Sequence, residues 1–227
     1  MCYIICDRIG HLNPNGKEII TIYSKFINLN SEKQELIINA AIKEFVQSGF
    51  DKASTNEIVK RANISKGSLF NYFNSKKDLY LYLIEYSVQI IERIIEQIDL
   101  NETDIFKRIE NIGLKKLHIQ QKFPQVFDFL VSTKQEESAE VKEIIKQKVE
   151  PIYDKSKKKM YEQIDYSKFR EGIDIEKAIE ILNWTMFGFG EKGLKQINTF
   201  EHISEFGEQY LKEWGSYSEI LKYSFYK

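Results

Sequence analysis

Residues 65–73 combine hydrogen-bonding side chains with apolar residues at helical spacing, in the order Ser-Lys-Gly-Ser-Leu-Phe-Asn-Tyr-Phe. Leu69 and Phe73 are four residues apart, so they can anchor one face of a short helix and leave the polar side chains on the other. Asn71 can bond both polar edge atoms of adenine in the major groove. Gly67 has no side chain, so another molecule can approach its backbone closely. The pattern therefore predicts a helix that binds nucleic acid.

Basic residues are concentrated around this segment. The window from Lys52 to Lys77 holds six basic residues and one acid, a net charge of +5, whereas the whole chain has a formal net charge of −1. A basic module within a slightly acidic chain is typical of proteins that neutralise DNA phosphates locally. Phosphate contacts, which fix register rather than sequence, are expected of Thr55, Lys66, Tyr72 and Lys76. The whole predicted set of DNA-binding residues is Thr55, Ser65, Lys66, Gly67, Ser68, Asn71, Tyr72 and Lys76.

Three predicted helices position these residues. The capping box Ser31-x-x-Gln34 predicts the start of the first helix, and Gly49 is expected to end it in a left-handed conformation. Ser54 predicts the start of a second, short helix, and Ser65 the start of the third. Asn63 tolerates the left-handed backbone that a tight turn between them needs. Three helices with such a turn indicate a helix-turn-helix, whose third helix enters the major groove.

The rest of the chain is predicted to be helical, so the fold class is all-α. The expected helices cover about 76–98, 102–122, 124–134, 138–163, 174–196 and 201–222. We divide the chain into an N-terminal extension (1–30), a helix-turn-helix domain (31–77) and a larger helical domain (78–227). The turn signal at residues 13–16 favours a short hairpin in the extension. The extension could also be an arm that reaches the minor groove with Arg8, Lys17 and Lys25, or upstream sequence included through a mis-chosen start codon.

Composition argues against several classes of protein. The three histidines are scattered, and neither a phosphate-binding loop nor a dinucleotide fingerprint is present, so we expect no enzyme, no metal site and no cofactor. Cys2 and Cys6 are the only cysteines, which fits a reducing cytoplasm. No segment is apolar for the roughly 20 residues that a membrane span needs. The alternative function is a helical adaptor that binds only proteins, although an adaptor has no need for the basic cluster.

Residues 31–80 resemble the N-terminal domain of the tetracycline-repressor (TetR) family. The residues that carry the resemblance are, in order, Gly49-Phe50, Ser54, Glu57-Ile58, Ala62, Ser65 to Phe73, Ser75-Lys76 and Leu79. Three positions depart from the usual family pattern: Phe70 stands where Tyr is common, Asn71 where His is common, and Asn63 where Gly is usual. The resemblance implies an N-terminal three-helix DNA-binding domain and a C-terminal helical domain for ligand binding and dimerisation.

The resemblance also implies a mode of action and further sites. It implies a repressor that a small molecule releases from a palindromic operator, with the helices at 174–196 and 201–222 pairing with their copies in a homodimer. The implied effector pocket lies among the helices between residues 80 and 165 and the start of the helix at 174–196. Its aromatic residues favour an apolar or aromatic effector, and the candidate lining residues are His118, Phe123, Phe127, Tyr153, Tyr161 and Trp184.

Overall fold

The computed structural model describes residues 23–122, 124–196 and 203–227. Within these ranges the chain is helical, and an isolated antiparallel bridge between Phe169 and Tyr226 is the only β-type pairing. The helices are α1 (Ser24–Ile27), α2 (Ser31–Lys52), α3 (Thr55–Arg61), α4 (Lys66–Tyr72), α5 (Lys76–Glu96), α6 (Ile105–Lys122), α7 (Pro124–Thr133), α8 (Lys142–Lys148), α9 (Glu150–Tyr161), α10 (Ile175–Gln196) and α11 (Ile203–Phe225). The all-α prediction is confirmed.

The predicted helix over residues 138–163 is wrong. Two helices, α8 and α9, occupy this region, and α9 begins at Glu150, directly before Pro151. Proline has no N–H group and cannot continue the hydrogen-bond ladder of a preceding helix, but it is tolerated in the first turn of a new one. The cap of α2 also differs from the prediction, because Asn30 rather than Ser31 accepts the N–H of Lys33, at 2.8 Å.

The chain divides into two compact units. The first contains the described residues up to Gln89 together with Gln125–Pro151, and the second contains Ile90–Pro124 and Ile152–Lys227. This division differs from the three segments expected from the sequence, since a stretch beyond residue 78 belongs to the same unit as the helix-turn-helix. The functional assignment of segments 1–30, 31–77 and 78–227 remains a prediction.

The core of the first unit is built from the inner faces of α2 to α5. Ile37, Phe45, Ile58 and Leu79 are buried there. The α2 helix breaks at Gly49, whose φ of +68° is the left-handed value expected from the sequence, and one further turn follows to Lys52. The break lets an aromatic cluster form: the ring of Phe45 lies 4.9 Å from that of Tyr80, measured between centroids.

The short helix α1 belongs to this unit, although the sequence interpretation placed it in the extension. The side chain of Phe26 is fully buried, and its ring lies 4.8 Å from that of Phe73 and 5.1 Å from that of Tyr82. The expected hairpin and the basic residues Arg8 and Lys17 lie outside the described residues. The segment that holds α1 is thus a packed part of the first unit.

The second unit has a separate core formed by α6, α10, α11 and the segment around Phe169. Its buried residues are Ile105, Phe106, Ile109, Ile164, Phe169, Ala178, Leu182, Phe189, Trp214 and Phe225. Arg108 is buried as well, and its guanidinium donates to the carbonyls of Leu100, Glu102, Met160 and Glu162. These bonds tie α6 to the end of α9. None of the described helices is long and apolar enough to cross a membrane.

Candidate nucleic-acid interface

The turn between α3 and α4 sets the orientation of the predicted recognition helix. Asn63 adopts a φ of +51°, the left-handed conformation expected for this position. The N–H of Ile64 donates to the carbonyl of Val59 at 3.0 Å, which closes the turn. The Ser65 side chain then accepts the N–H of Ser68 at 3.0 Å and caps α4. Capping by Ser65 is therefore confirmed.

One face of α4 is buried and the other is exposed, as the sequence pattern predicted. Leu69 and Phe73 are each 1% exposed. The exposed face presents Lys66, Gly67 and Asn71 to solvent. The structure therefore brings these candidate DNA-binding residues together on one surface, and their contacts with DNA remain a prediction.

The other candidates lie at the edge of this surface. The Ser68 hydroxyl lies 2.8 Å from the Ser65 hydroxyl, so both hydroxyls already share one hydrogen bond. Tyr72 is half-buried, with its ring 6.1 Å from that of Phe26. Thr55 is half-buried as the first residue of α3. The DNA contacts expected of Ser68, Tyr72 and Thr55 remain predictions.

Lys76 has a role that the sequence interpretation missed. Its ammonium group donates to the carbonyls of Phe50 at 2.7 Å, Asp51 at 3.0 Å and Ala53 at 3.3 Å, and it lies 4.8 Å from the centre of the Phe50 ring. These carbonyls belong to the last turn of α2 and the residue after it, where helical partners are lacking. The three donors of the ammonium are thus used within the protein, and a phosphate contact by Lys76 remains a prediction without geometric support.

A second basic residue of the +5 window is also used internally. The Glu44 carboxylate is buried and accepts from Arg61 at 3.0 Å, and it accepts the N–H of Ser54 at 3.0 Å. By contrast, Lys60 and Lys66 are exposed and pair with no other side chain in the part of the chain that the structure describes. The charge available to a ligand on this surface is therefore smaller than the sequence count suggests.

Lys25 adds a cation to this surface that the net charge counted over residues 52–77 does not include. Its ammonium donates to Oδ1 of Asn71 at 2.7 Å. Lys25 lies on α1, so the segment before the helix-turn-helix reaches the exposed face of α4. The available sequence signal was the pair Tyr23 and Phe26, two aromatic residues three apart, which would share one face of a helical turn.

Comparison with known proteins agrees with this geometry. The family model described as "Bacterial regulatory proteins, tetR family" matches residues 37–83, which hold most of α2, all of α3 and α4, and the start of α5. Over these residues the chain is similar to bacterial regulatory proteins of the tetR family. Over 55 residues it is 46% identical to the uncharacterized HTH-type transcriptional regulator YuxN of Bacillus subtilis. Over 63 residues it is 32% identical to the fatty acid metabolism regulator protein of the same organism.

These two alignments are short. They cover 24% and 27% of this chain, and 19% and 32% of the respective relatives. A solved TetR family transcriptional regulator from Chloroflexus aurantiacus matches over 90% of this chain and 98% of its own, with a TM-score of 0.57 and 23% identity. That likeness extends the shared fold to the second unit.

The described effector candidates are divided between the two units, and their contacts with an effector remain predictions. Phe127 belongs to the first unit, and Tyr153 and Tyr161 belong to the second. The Tyr161 hydroxyl donates to Oδ1 of Asn183 at 2.5 Å, and burial raises the pKa of this phenol to about 12, although the bond to Asn183 opposes the shift. Phe123 and the side chain of His118 lie outside the described residues.

Trp184 is a correction. Its side chain is 67% exposed on α10, so it cannot line an enclosed pocket within this chain. Two positions earlier on α10, Leu182 faces the core and is fully buried. Helical geometry turns residues 182 and 184 roughly 200° apart, which explains why one is buried and the other exposed.

Two clefts of about 300 Å³ open on the second unit. Ile98, Glu102, Arg108 and Leu114 are among the residues that line the first, and Ile95, Lys155, Lys158 and Lys159 are among those that line the second. Neither is lined by Tyr153, Tyr161 or Trp184. Within residues 23–122, 124–196 and 203–227, no group of three or more His, Cys, Asp or Glu side chains could hold a metal ion.

Proposed function

We propose that this chain is a transcriptional repressor that binds a palindromic operator as a homodimer and is released by a small-molecule effector. The observation that carries the proposal is the exposed face of α4, where Lys66, Gly67 and Asn71 lie together on a helix anchored by Leu69 and Phe73. Such a face suits insertion into a major groove. Because the proposed partner is DNA, we place its action in the cytoplasm.

A second copy of the chain is the proposed partner of an apolar stripe on the second unit. On α10, Ile181, Trp184 and Phe187 are 41%, 67% and 68% exposed, and α11 exposes Tyr217, Ile220 and Tyr223. Their spacing of three residues puts each set on one side of its helix. Added Cβ atoms at Gly188 and Gly190 would meet no heavy atom within 4 Å, so a neighbouring helix could approach there. Large exposed apolar patches of this kind mark association surfaces.

Sedimentation equilibrium tests whether this apolar stripe forms a dimer interface. We expect the wild-type chain to be a dimer at micromolar concentration and Phe187→Asp to be a monomer, since a charge would be buried in the interface. Val131→Asp is the matched control, because Val131 is an exposed apolar residue on another helix, 47% exposed. A wild-type monomer, or a Phe187→Asp dimer as tight as wild type, would contradict the proposed interface.

Release by an effector requires that the effector bind one conformation of the dimer more tightly than the conformation that fits DNA. Phe127, Tyr153 and Tyr161 remain candidate contacts, together with His118 and Phe123, and we propose an apolar or aromatic effector. A compound that raises the melting temperature of the chain and also dissociates its DNA complex would support this part. A compound that binds without weakening the DNA complex would not be the effector.

The DNA-binding proposal is tested by selection of sites from random duplex DNA, followed by fluorescence anisotropy on a selected site and on the intergenic DNA next to the gene. Lys66→Ala should weaken binding about equally to selected and random DNA and flatten the salt dependence by roughly one unit, because one phosphate contact is lost. Lys157→Ala, an exposed lysine on α9, is the control and should change neither. If wild type binds selected DNA no tighter than random DNA, the adaptor function becomes the better explanation.

A further inference from the structure

The backbone around Lys25 is held firmly against the helix-turn-helix. Phe26 is fully buried beside Phe73 and Tyr82. Tyr23 is 7% exposed, and its hydroxyl donates to the carbonyl of Asp78 at 3.3 Å. Burial, with smaller contributions from Asp78 and Glu85, raises the pKa of Tyr23 to about 12, so the hydroxyl keeps its proton at neutral pH.

The chain that leaves α1 is tied down as well. The side-chain amide of Gln34 donates to the carbonyls of Ile27 at 2.9 Å and Leu29 at 2.7 Å. Lys25 therefore projects from a turn that is fixed on both sides, while its own side chain is exposed. Its position beside α4 follows from this packing rather than from the flexible reach of a free arm.

The contact between Lys25 and Asn71 has a definite polarity. An ammonium group has three donors and no acceptor, so only the Oδ1 atom of the carboxamide can face it. The 2.7 Å bond therefore occupies one of the two lone pairs of Oδ1, places a positive charge beside it and turns the Nδ2 donors away from Lys25. The pair then presents hydrogen-bond donors from both residues.

Adenine and guanine differ in what they require from such a pair. A bidentate contact of Asn with adenine needs both atoms of the carboxamide, a donor for N7 and an acceptor for the N6 amino group. Guanine offers two acceptors in the major groove, N7 and O6, which match two donors. The Lys25 contact thus weakens the fit of Asn71 to adenine and improves the fit of the pair to guanine.

We propose that Lys25 and Asn71 form one composite base-reading unit, in which Lys25 directs the specificity of Asn71 from adenine to guanine. This inference rests on the proposed function, because it requires α4 to enter a major groove. It assigns a specificity-determining role to a residue outside the segment 37–83 that matches the family model.

The test compares the sites selected from random duplex DNA by the full-length wild-type chain, Lys25→Ala and Asn71→Ala, followed by anisotropy on matched sites that differ at one base pair. We expect wild type to require guanine at one position of each half-site, and Lys25→Ala to prefer adenine there. The ratio of affinities for guanine and adenine should change by about 5- to 150-fold, the usual worth of a bidentate base contact. Asn71→Ala should lose discrimination at the same position.

Two further variants serve as controls. Lys25→Arg keeps a cation with several donors and should retain the preference for guanine. Lys43→Ala removes an exposed lysine from α2 and should leave the base preference unchanged. Thermal melts followed by circular dichroism verify that each variant folds, which we expect because both lysines are exposed.

The possible outcomes distinguish a failure of the proposed role of Lys25 from a failure of the proposed DNA-binding function. Equal weakening on every sequence by Lys25→Ala, with a flatter salt dependence, would make Lys25 a phosphate contact and overturn the inference. Selective binding with an unchanged base preference in Lys25→Ala would also overturn it, while the proposed function would stand. Absence of any sequence-selective binding by wild type would overturn both.

Discussion

Replacement of Gly67 by alanine should separate the stability of the recognition helix from its affinity for DNA. Gly67 is the second residue of α4, and an added Cβ atom would have as its nearest neighbour the Ser65 hydroxyl at 3.8 Å, an ordinary contact. The protein itself therefore has room for the methyl group. Alanine is favoured over glycine in a helix by about 1 kcal/mol. We expect the melting temperature to rise, by roughly 2–4 °C for a chain of this size.

Affinity for DNA should change in the opposite direction. If the backbone at Gly67 approaches DNA closely, a methyl group inserted into that contact costs about 1–3 kcal/mol. This corresponds to a loss of roughly 5- to 150-fold in Kd. Thermal melts and anisotropy on selected DNA measure the two effects in the same preparation.

A second glycine serves as the control. Gly113→Ala, on α6, would bring its Cβ atom to 3.6 Å from the Leu211 side chain, also an ordinary contact, and it should raise stability without changing DNA affinity. A Gly67→Ala chain that melts higher and binds DNA as tightly as wild type would refute the argument for close approach. A lower melting temperature would refute the argument that the helix has room.

Three further predictions concern the described contacts. Phe26→Ala should lower the free energy of unfolding by about 3–5 kcal/mol in urea titrations, because a fully buried aromatic side chain is removed. Lys76→Met should lower it by about 1–3 kcal/mol, because three carbonyls lose their donor, while the salt dependence of DNA binding stays close to that of wild type. Asp104 caps α6 and meets Lys168 at 3.4 Å; burial opposes ionisation, but the N–H groups of Lys107 and Phe106 and the lysine hold the pKa of the carboxyl below its usual value. Its contribution to stability should therefore be complete above the usual pKa of an aspartate and disappear as the pH falls through the lowered value. The difference in unfolding free energy between wild type and Asp104→Asn should accordingly shrink between pH 7 and pH 3.

Each of these predictions has an opposite outcome that would contradict it. A loss below about 1 kcal/mol for Phe26→Ala would mean that α1 is not part of the fold. A flattened salt dependence with unchanged stability for Lys76→Met would restore the phosphate contact predicted from the sequence. A difference between wild type and Asp104→Asn that is constant with pH would show that the carboxylate charge does not matter at this cap.

Local features of the helix-turn-helix were readable from the sequence. The cap at Ser65, the left-handed turn at Asn63 and the buried positions Leu69 and Phe73 all match the structure. Each depends on a residue and its neighbours within about four positions, where backbone preference and helical periodicity decide the outcome. The positive φ at Gly49 belongs with them, because glycine has no Cβ atom and adopts such a conformation without a steric penalty.

Other features depended on partners distant in the sequence. The carbonyls that accept from Lys76 lie between 23 and 26 positions earlier in the chain, and Asn71, which accepts from Lys25, lies 46 positions after it. No local pattern could therefore assign these hydrogen bonds. The burial of Phe26 and the exposure of Trp184 likewise depend on which helices pack around each side chain. The sequence alone determined most of the helices, the caps of α3 and α4 and the basic segment, because those follow from short-range chemistry. Only the tertiary structure decided which cations are bonded inside the protein and which remain exposed, because hydrogen bonding and burial depend on contacts between segments distant in the sequence.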